Sequence, residues 1–175
     1  MAFPRTVVVV DQKLSGMGLR LPYKLWQTDC AETWVSEHKG HIHLNPHERT
    51  LRIFAHRSVE HLLLHELGHI FVHSYLPRKV KTDEKFVALF GGIMKHYRRR
   101  LGRVKSSPDF ISNYAQVHPE DNFCEVFAIY CRFEGKIRKI HKWLRKHRKS
   151  QKVKKQVCWL HAYLKLLQRQ KKYSN

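Results

Sequence analysis

Apolar positions recur at helical spacing over residues 59–74, where Leu62, Leu63, Leu64, Leu67, Ile70, Phe71 and Val72 follow a period near 3.6 rather than 2. Ser58 is a suitable N-cap and Pro77 lies just past the end, so the pattern predicts one helix here. Residues 7–10, VVVV, are an unbroken β-branched run between Pro4 and Asp11, which predicts a buried first strand. Residues 41–44 and 51–54 are short alternating segments separated by NPHERT, whose Asn-Pro start is a turn signal, and they predict a hairpin. Residues 12–40 show no clear period.

Thr82 or Asp83 can cap a second helix running to about residue 101, broken or loosened at Gly91 and Gly92, with GRVKSSPDF as a loop after it. PEDNFCEVFAIYCRF has a proline and acidic residues where a first helical turn favours them, and predicts a third helix. Beyond Gly135, two amphipathic helices are expected at about 136–148 and 152–171. Trp143, Leu144, Val153, Val157, Trp159, Leu160, Tyr163, Leu164 and Leu167 supply their buried faces. The elements sum to an α+β fold. A length of 175 residues fits a single domain: 1–57 mainly β, 58–134 helical, 135–175 basic and helical.

The formal charge of +20 changes the picture, because it favours polyanionic partners. Residues 135–175 hold 15 Lys and Arg and no Asp or Glu, so most of the excess sits at one end. Cys30, Cys124, Cys131 and Cys158 form no C-x-x-C pair, which argues against a disulfide framework and for reduced thiols in the cytoplasm. The four valines are too few for a signal-peptide core, and no uncharged apolar stretch is long enough to span a membrane. Secretion by a route without a signal peptide stays open.

The predicted helix at 59–74 carries HLLLHELGHIFVH, and with it the candidate chemistry. Residues four apart project from nearly one face, so His65 and His69 can offer two imidazole nitrogens to one metal ion. Glu66, on the adjoining edge, can take a proton from an attacking water and return it to a leaving amine. Gly68 lets another segment approach the helix beside the metal. His61 and His73 share the column but lack the glutamate, and each fourfold step drifts by about 40°, so both are read as satisfied or solvent-facing histidines. Fourteen histidines also make a chance H-E-x-x-H less rare than usual. A catalytic zinc site needs a third protein ligand, and NYAQVHPEDNFCEVFAIY is the segment that can supply it. Asp121 and Glu125 share a helix face there; one carboxylate can bind metal while the other orients a histidine from behind.

HELGH followed some fifty residues later by YAQVHPEDNFCEVFAIY resembles the zinc-binding metallopeptidases of the zincin superfamily, whose second motif reads YAxxHPxEDxAExxAxY. The layout is similar to that of the anthrax lethal factor catalytic domain, in which a tyrosine stands seven residues before the metal-binding acid. The resemblance implies a minimal metalloprotease with a small N-terminal mixed β-sheet packed on an active-site helix, then a helical C-terminal half. It implies Zn²⁺ held by His65, His69 and Asp121, Glu66 as general base, Tyr114 as oxyanion donor and Glu125 behind a ligand histidine. The family's Glu-Asp is Asp121-Asn122 here, and aspartate is one methylene shorter, so Glu125 and then Glu120 stay open as the third ligand. His118 caps the third helix or hydrogen-bonds near the site. By analogy, residues 40–44, GHIHL, are the edge strand that pairs with extended substrate.

The expected function is therefore a zinc endopeptidase acting on a protein or peptide. Residues 136–172, where basic side chains interleave with Trp143, suit recruitment to nucleic acid or an acidic partner. The competing class is a non-enzymatic basic nucleic-acid-binding module with a structural metal.

Overall fold

The computed structural model describes residues 3–27, 34–36, 40–44, 58–93 and 105–173. Its first element is a helix, α1 (Phe3–Gly16), where the valine run predicts a strand. The reason lies in what surrounds the run. Val10, Leu14 and Met17 are buried, with Val7 packed beside them, so the apolar stripe steps by three and four residues past the end of VVVV. Val8 and Val9 face outward. Burial of that stripe against the next helix overrides β propensity, which is mostly a preference for a fitting surface.

Three short strands follow: β1 (Lys24–Gln27), β2 (Trp34–Ser36) and β3 (His41–Leu44). Their order is β1-β3-β2, with β1 parallel and β2 antiparallel to β3. The sheet is small and mixed, as expected. However, β3 is central, so residues 40–44 are not an edge strand and have no side open to an added strand. Ile42 and Leu44 point into the core while His41 and His43 lie against Trp26. The proposed hairpin partner, residues 51–54, lies outside the described residues.

Helix α2 (Val59–Tyr75) starts where predicted, with Ser58 accepting from the His61 amide at 3.1 Å. It is buried nearly all round, from His61 to Val72, which explains why its apolar residues are too many for a single stripe. A short turn, α3 (Arg78–Lys81), leads to α4 (Glu84–Phe90), capped by Asp83. Gly91, at φ 94°, ends α4, so the predicted second helix stops there; residues 94–104 lie outside the described residues. After a 3₁₀ turn (Tyr114–Gln116), α5 (Pro119–Arg132) begins at the predicted proline, with His118 as its cap.

Helices α6 (Ile137–Lys146) and α7 (Gln151–Tyr173) form the basic C-terminal hairpin. It is not an appendage. Ile140, Leu144, Val153, Val157, Leu160 and Leu164 enter the same core as α2 and α5. Trp159 packs edge-on against Phe86 and Phe90, Gln156 donates to the Leu89 carbonyl at 2.7 Å, and Tyr163 donates to the Tyr75 carbonyl at 2.7 Å. No helix among the described residues is long and apolar enough to cross a membrane.

Candidate metal centre

The site forms where α2 crosses α5. A β-carbon on Gly68 would meet Cys124 Cα at 2.9 Å, so the missing side chain lets the two backbones meet between His65 and His69. That contact brings the HELGH face of α2 onto the acidic first turns of α5.

Asp121 Oδ1 lies 3.6 Å from Nε2 of His65 and 3.6 Å from Nε2 of His69. This is too long for a hydrogen bond. It is the separation expected of neighbouring ligands on a small tetrahedral cation, about 3.3–3.6 Å for bonds near 2.0–2.2 Å. The other ring nitrogens are held by carboxylates: His65 Nδ1 by Glu125 Oε1 at 2.9 Å and His69 Nδ1 by Glu120 Oε1 at 2.8 Å. A carboxylate there can accept from Nδ1–H, which leaves Nε2 directed at Asp121 and, in the neutral imidazole, able to bind a cation. Two imidazoles are donors that a divalent ion such as zinc accepts; Asp121 faces their Nε2 atoms, and Glu120 and Glu125 contact their Nδ1 atoms.

The two outer histidines complete a repeating pattern. Glu125 Oε1 also meets His61 Nε2 at 3.2 Å, and Glu120 Oε1 meets His73 Nε2 at 3.1 Å. Each carboxylate thus bridges one inner and one outer imidazole. His61 and His73 are partnered histidines, as read from their missing glutamates. His118 Nδ1 accepts from the Glu120 amide at 3.1 Å, so of its two suggested roles it takes the cap, and in doing so orders the turn that presents Glu120 and Asp121.

Glu66 is buried at 8% exposure on the same turn as His65. Tyr114, half-buried in the 3₁₀ turn, sets its ring edge-on to His65 with centroids 5.3 Å apart. The sequence-predicted residues His65, Glu66, His69, Tyr114, Asp121 and Glu125 therefore converge on one place.

Carboxylates and imidazoles face one another throughout this buried site. Burial opposes protonation of His65, but the facing Asp121 and Glu125 carboxylates, with Glu66 beyond, outweigh it and raise its pKa to about 9. Against the same burial, Cys124 and the Asp121 and Glu120 carboxylates hold His69 well above the ordinary range. We attribute this to the carboxylates, because burial pushes the Cys124 thiol up to about 12 and leaves it neutral. Glu120, despite burial, is drawn down to about 2 by His69 and His73. Asp121 and Glu125 are likewise held below the usual carboxylate range by the histidines they face, again against burial. The carboxylates that favour protonation of these imidazoles also favour a divalent cation, which must displace any proton from the nitrogen it binds.

Cys124 is the residue that sequence reasoning passed over. It follows Asp121 by three positions, hence on the same helix face. One ligand atom from each of His65, His69 and Cys124 lie within 4.8 Å of one another, a group able to hold a metal ion.

A family model described as "Putative zinc-binding metallo-peptidase" matches residues 29–171. The matched span takes in all the converging residues and runs on through the basic hairpin. No curated protein and no solved structure matches the chain significantly. Zinc is the cofactor this match brings, and the histidines of α2 stand ready for it. With most of its length inside the match, the chain belongs to this family of zinc-binding metallopeptidases.

Proposed function

We propose that the protein is a zinc-dependent endopeptidase in which His65, His69 and Asp121 hold the metal. Glu66 is the general base, Tyr114 the oxyanion donor, and Glu125 orients His65. The observation that carries this reading is Asp121 Oδ1 facing both Nε2 atoms at 3.6 Å while carboxylates hold both Nδ1 atoms. Bound zinc supplies a Lewis acid that lowers the pKa of water to about 7 and polarises the scissile carbonyl. Glu66 takes a proton from the attacking water as its oxygen joins the carbonyl carbon. The Tyr114 hydroxyl donates to the carbonyl oxygen as charge develops there. Glu66 then gives the proton to the amide nitrogen as the C–N bond breaks, so one water is consumed and a carboxyl and an amine result.

The test is a pair of measurements on purified protein. About one zinc per chain is expected, and Glu66→Gln retains it while cleavage of a denatured protein falls by about 10²–10⁴-fold. Full cleavage by Glu66→Gln refutes the mechanism.

We further place this activity on proteins bound to nucleic acid. Arg138, Lys139, Lys142, Arg145 and Lys146 are exposed along α6, where Trp143 and His147 rings lie 4.3 Å apart. Such a surface suits phosphate contact. Nucleic acid should stimulate cleavage and salt should abolish the stimulation; indifference removes this part of the proposal. Zinc and salt-dependent binding without any cleavage would favour the non-enzymatic module instead. The free thiols of Cys124, Cys131 and Cys158 support a reducing, cytoplasmic setting.

A further inference from the structure

We propose that Cys124 is a fourth protein ligand of the metal, so that the resting centre is closed by His65, His69, Asp121 and a cysteine sulfur. This deepens the endopeptidase reading and rests on its metal site. Three observations carry it. Cys124 is a fully buried free cysteine placed at the helix crossing. A β-carbon at Gly68 would lie 3.1 Å from its Sγ, so the sulfur sits directly over the residue between the two ligand histidines. Its Sγ and one nitrogen of each histidine lie within 4.8 Å of one another, a group that could hold a metal ion.

The chemistry favours the contact, since zinc accepts thiolate as readily as imidazole, with a bond near 2.3 Å. Binding breaks the S–H bond, forms an S–metal bond, and releases the proton to solvent. A catalytic centre needs an open position for water. In this chain that position opens when the sulfur yields, which makes Cys124 an internal competitor of water and a determinant of preference for thiophilic cations.

X-ray absorption of the zinc-loaded protein tests this without relying on a destabilised variant. The sample carries Cys30→Ser and Cys158→Ser, because Cys158 Sγ is exposed 3.8 Å from His141 Nε2 and could take metal on its own. One sulfur at about 2.3 Å is expected. Cobalt substitution of the same protein should show a sulfur-to-metal charge-transfer band. Cys124→Ala and Cys124→Ser in that background should still bind one cobalt and lose the band. Absence of the sulfur shell, or a band that survives in Cys124→Ala, overturns the proposal. A sulfur shell in a protein that cleaves nothing sinks the peptidase reading alone; cleavage without a sulfur shell sinks the Cys124 assignment alone.

Discussion

Gly68 and Cys124 touch through their backbones: any β-carbon at position 68 would sit 2.9 Å from Cys124 Cα and 3.0 Å from its Cβ. Since the nearest atom is main chain, it cannot swing aside. Gly68→Ala should push α5 off α2, destabilise the protein by about 1–3 kcal/mol, and weaken zinc binding at the same time. Denaturant titration and zinc competition check it; unchanged zinc affinity would mean the crossing does not set the ligand geometry.

Glu125 and Glu120 hold the Nδ1 atoms of His65 and His69. Glu125→Gln or Glu120→Gln should each lower zinc affinity by about 10–100-fold while the stoichiometry stays at one. Asp121→Asn, which removes a charged donor on the Nε2 side, should cost more than either. Competition with a chromophoric chelator ranks the three, and a Glu125 variant weaker than Asp121→Asn would exchange their roles.

Stability of the zinc-free protein should be greatest between about pH 4.5 and 6.5. His65 has its pKa raised from 6.5 to about 9, so its contribution is complete below 6.5 and fades as pH rises to about 9. Glu120 is lowered from 4.5 to about 2, so its contribution is present above 4.5 and fades as pH falls to about 2. Thermal melts of chelated protein across pH measure both limbs. Added zinc should abolish the alkaline loss, because the cation replaces the departing protons.

Deleting residues 136–175 should unfold the protein rather than merely free it from nucleic acid, because α7 contributes Val153, Val157, Leu160 and Leu164 to the core. Neutralising Arg138, Lys142 and Arg145 should instead keep the melting temperature and lower the salt slope of nucleic-acid binding by roughly one for each phosphate that no longer meets a cation. Circular dichroism and binding titrations at several salt concentrations separate the two outcomes.

Much of the fold was legible because local signals agreed with burial. Ser58, Asp83 and the His118-Pro119 pair mark helix starts that cap geometry bears out. The HELGH helix and the acidic first turn of α5 could be matched as partners by motif, and they do meet. Three features escaped for physical reasons. The four valines hid a stripe that becomes visible only when Leu14 and Met17 are included, and a neighbouring helix settles that choice. Strand order is set by pairing between distant segments, so nothing local in GHIHL marks it as central. Cys124, the contacts of Glu120 with His69 and His73, and that of Glu125 with His61 depend on how deeply two helices interpenetrate, which Gly68 hints at but does not measure.

Tyr75, at the end of α2, accepts from Tyr163 of α7 through its carbonyl and donates its hydroxyl to the Arg20 carbonyl. The helix that carries the imidazoles is thereby riveted at its far end to both the N-terminal segment and the C-terminal hairpin. Its central amides should exchange with heavy water only through whole-molecule opening, while strand amides exchange earlier. A metal seated on that helix should then stay bound until the whole molecule opens.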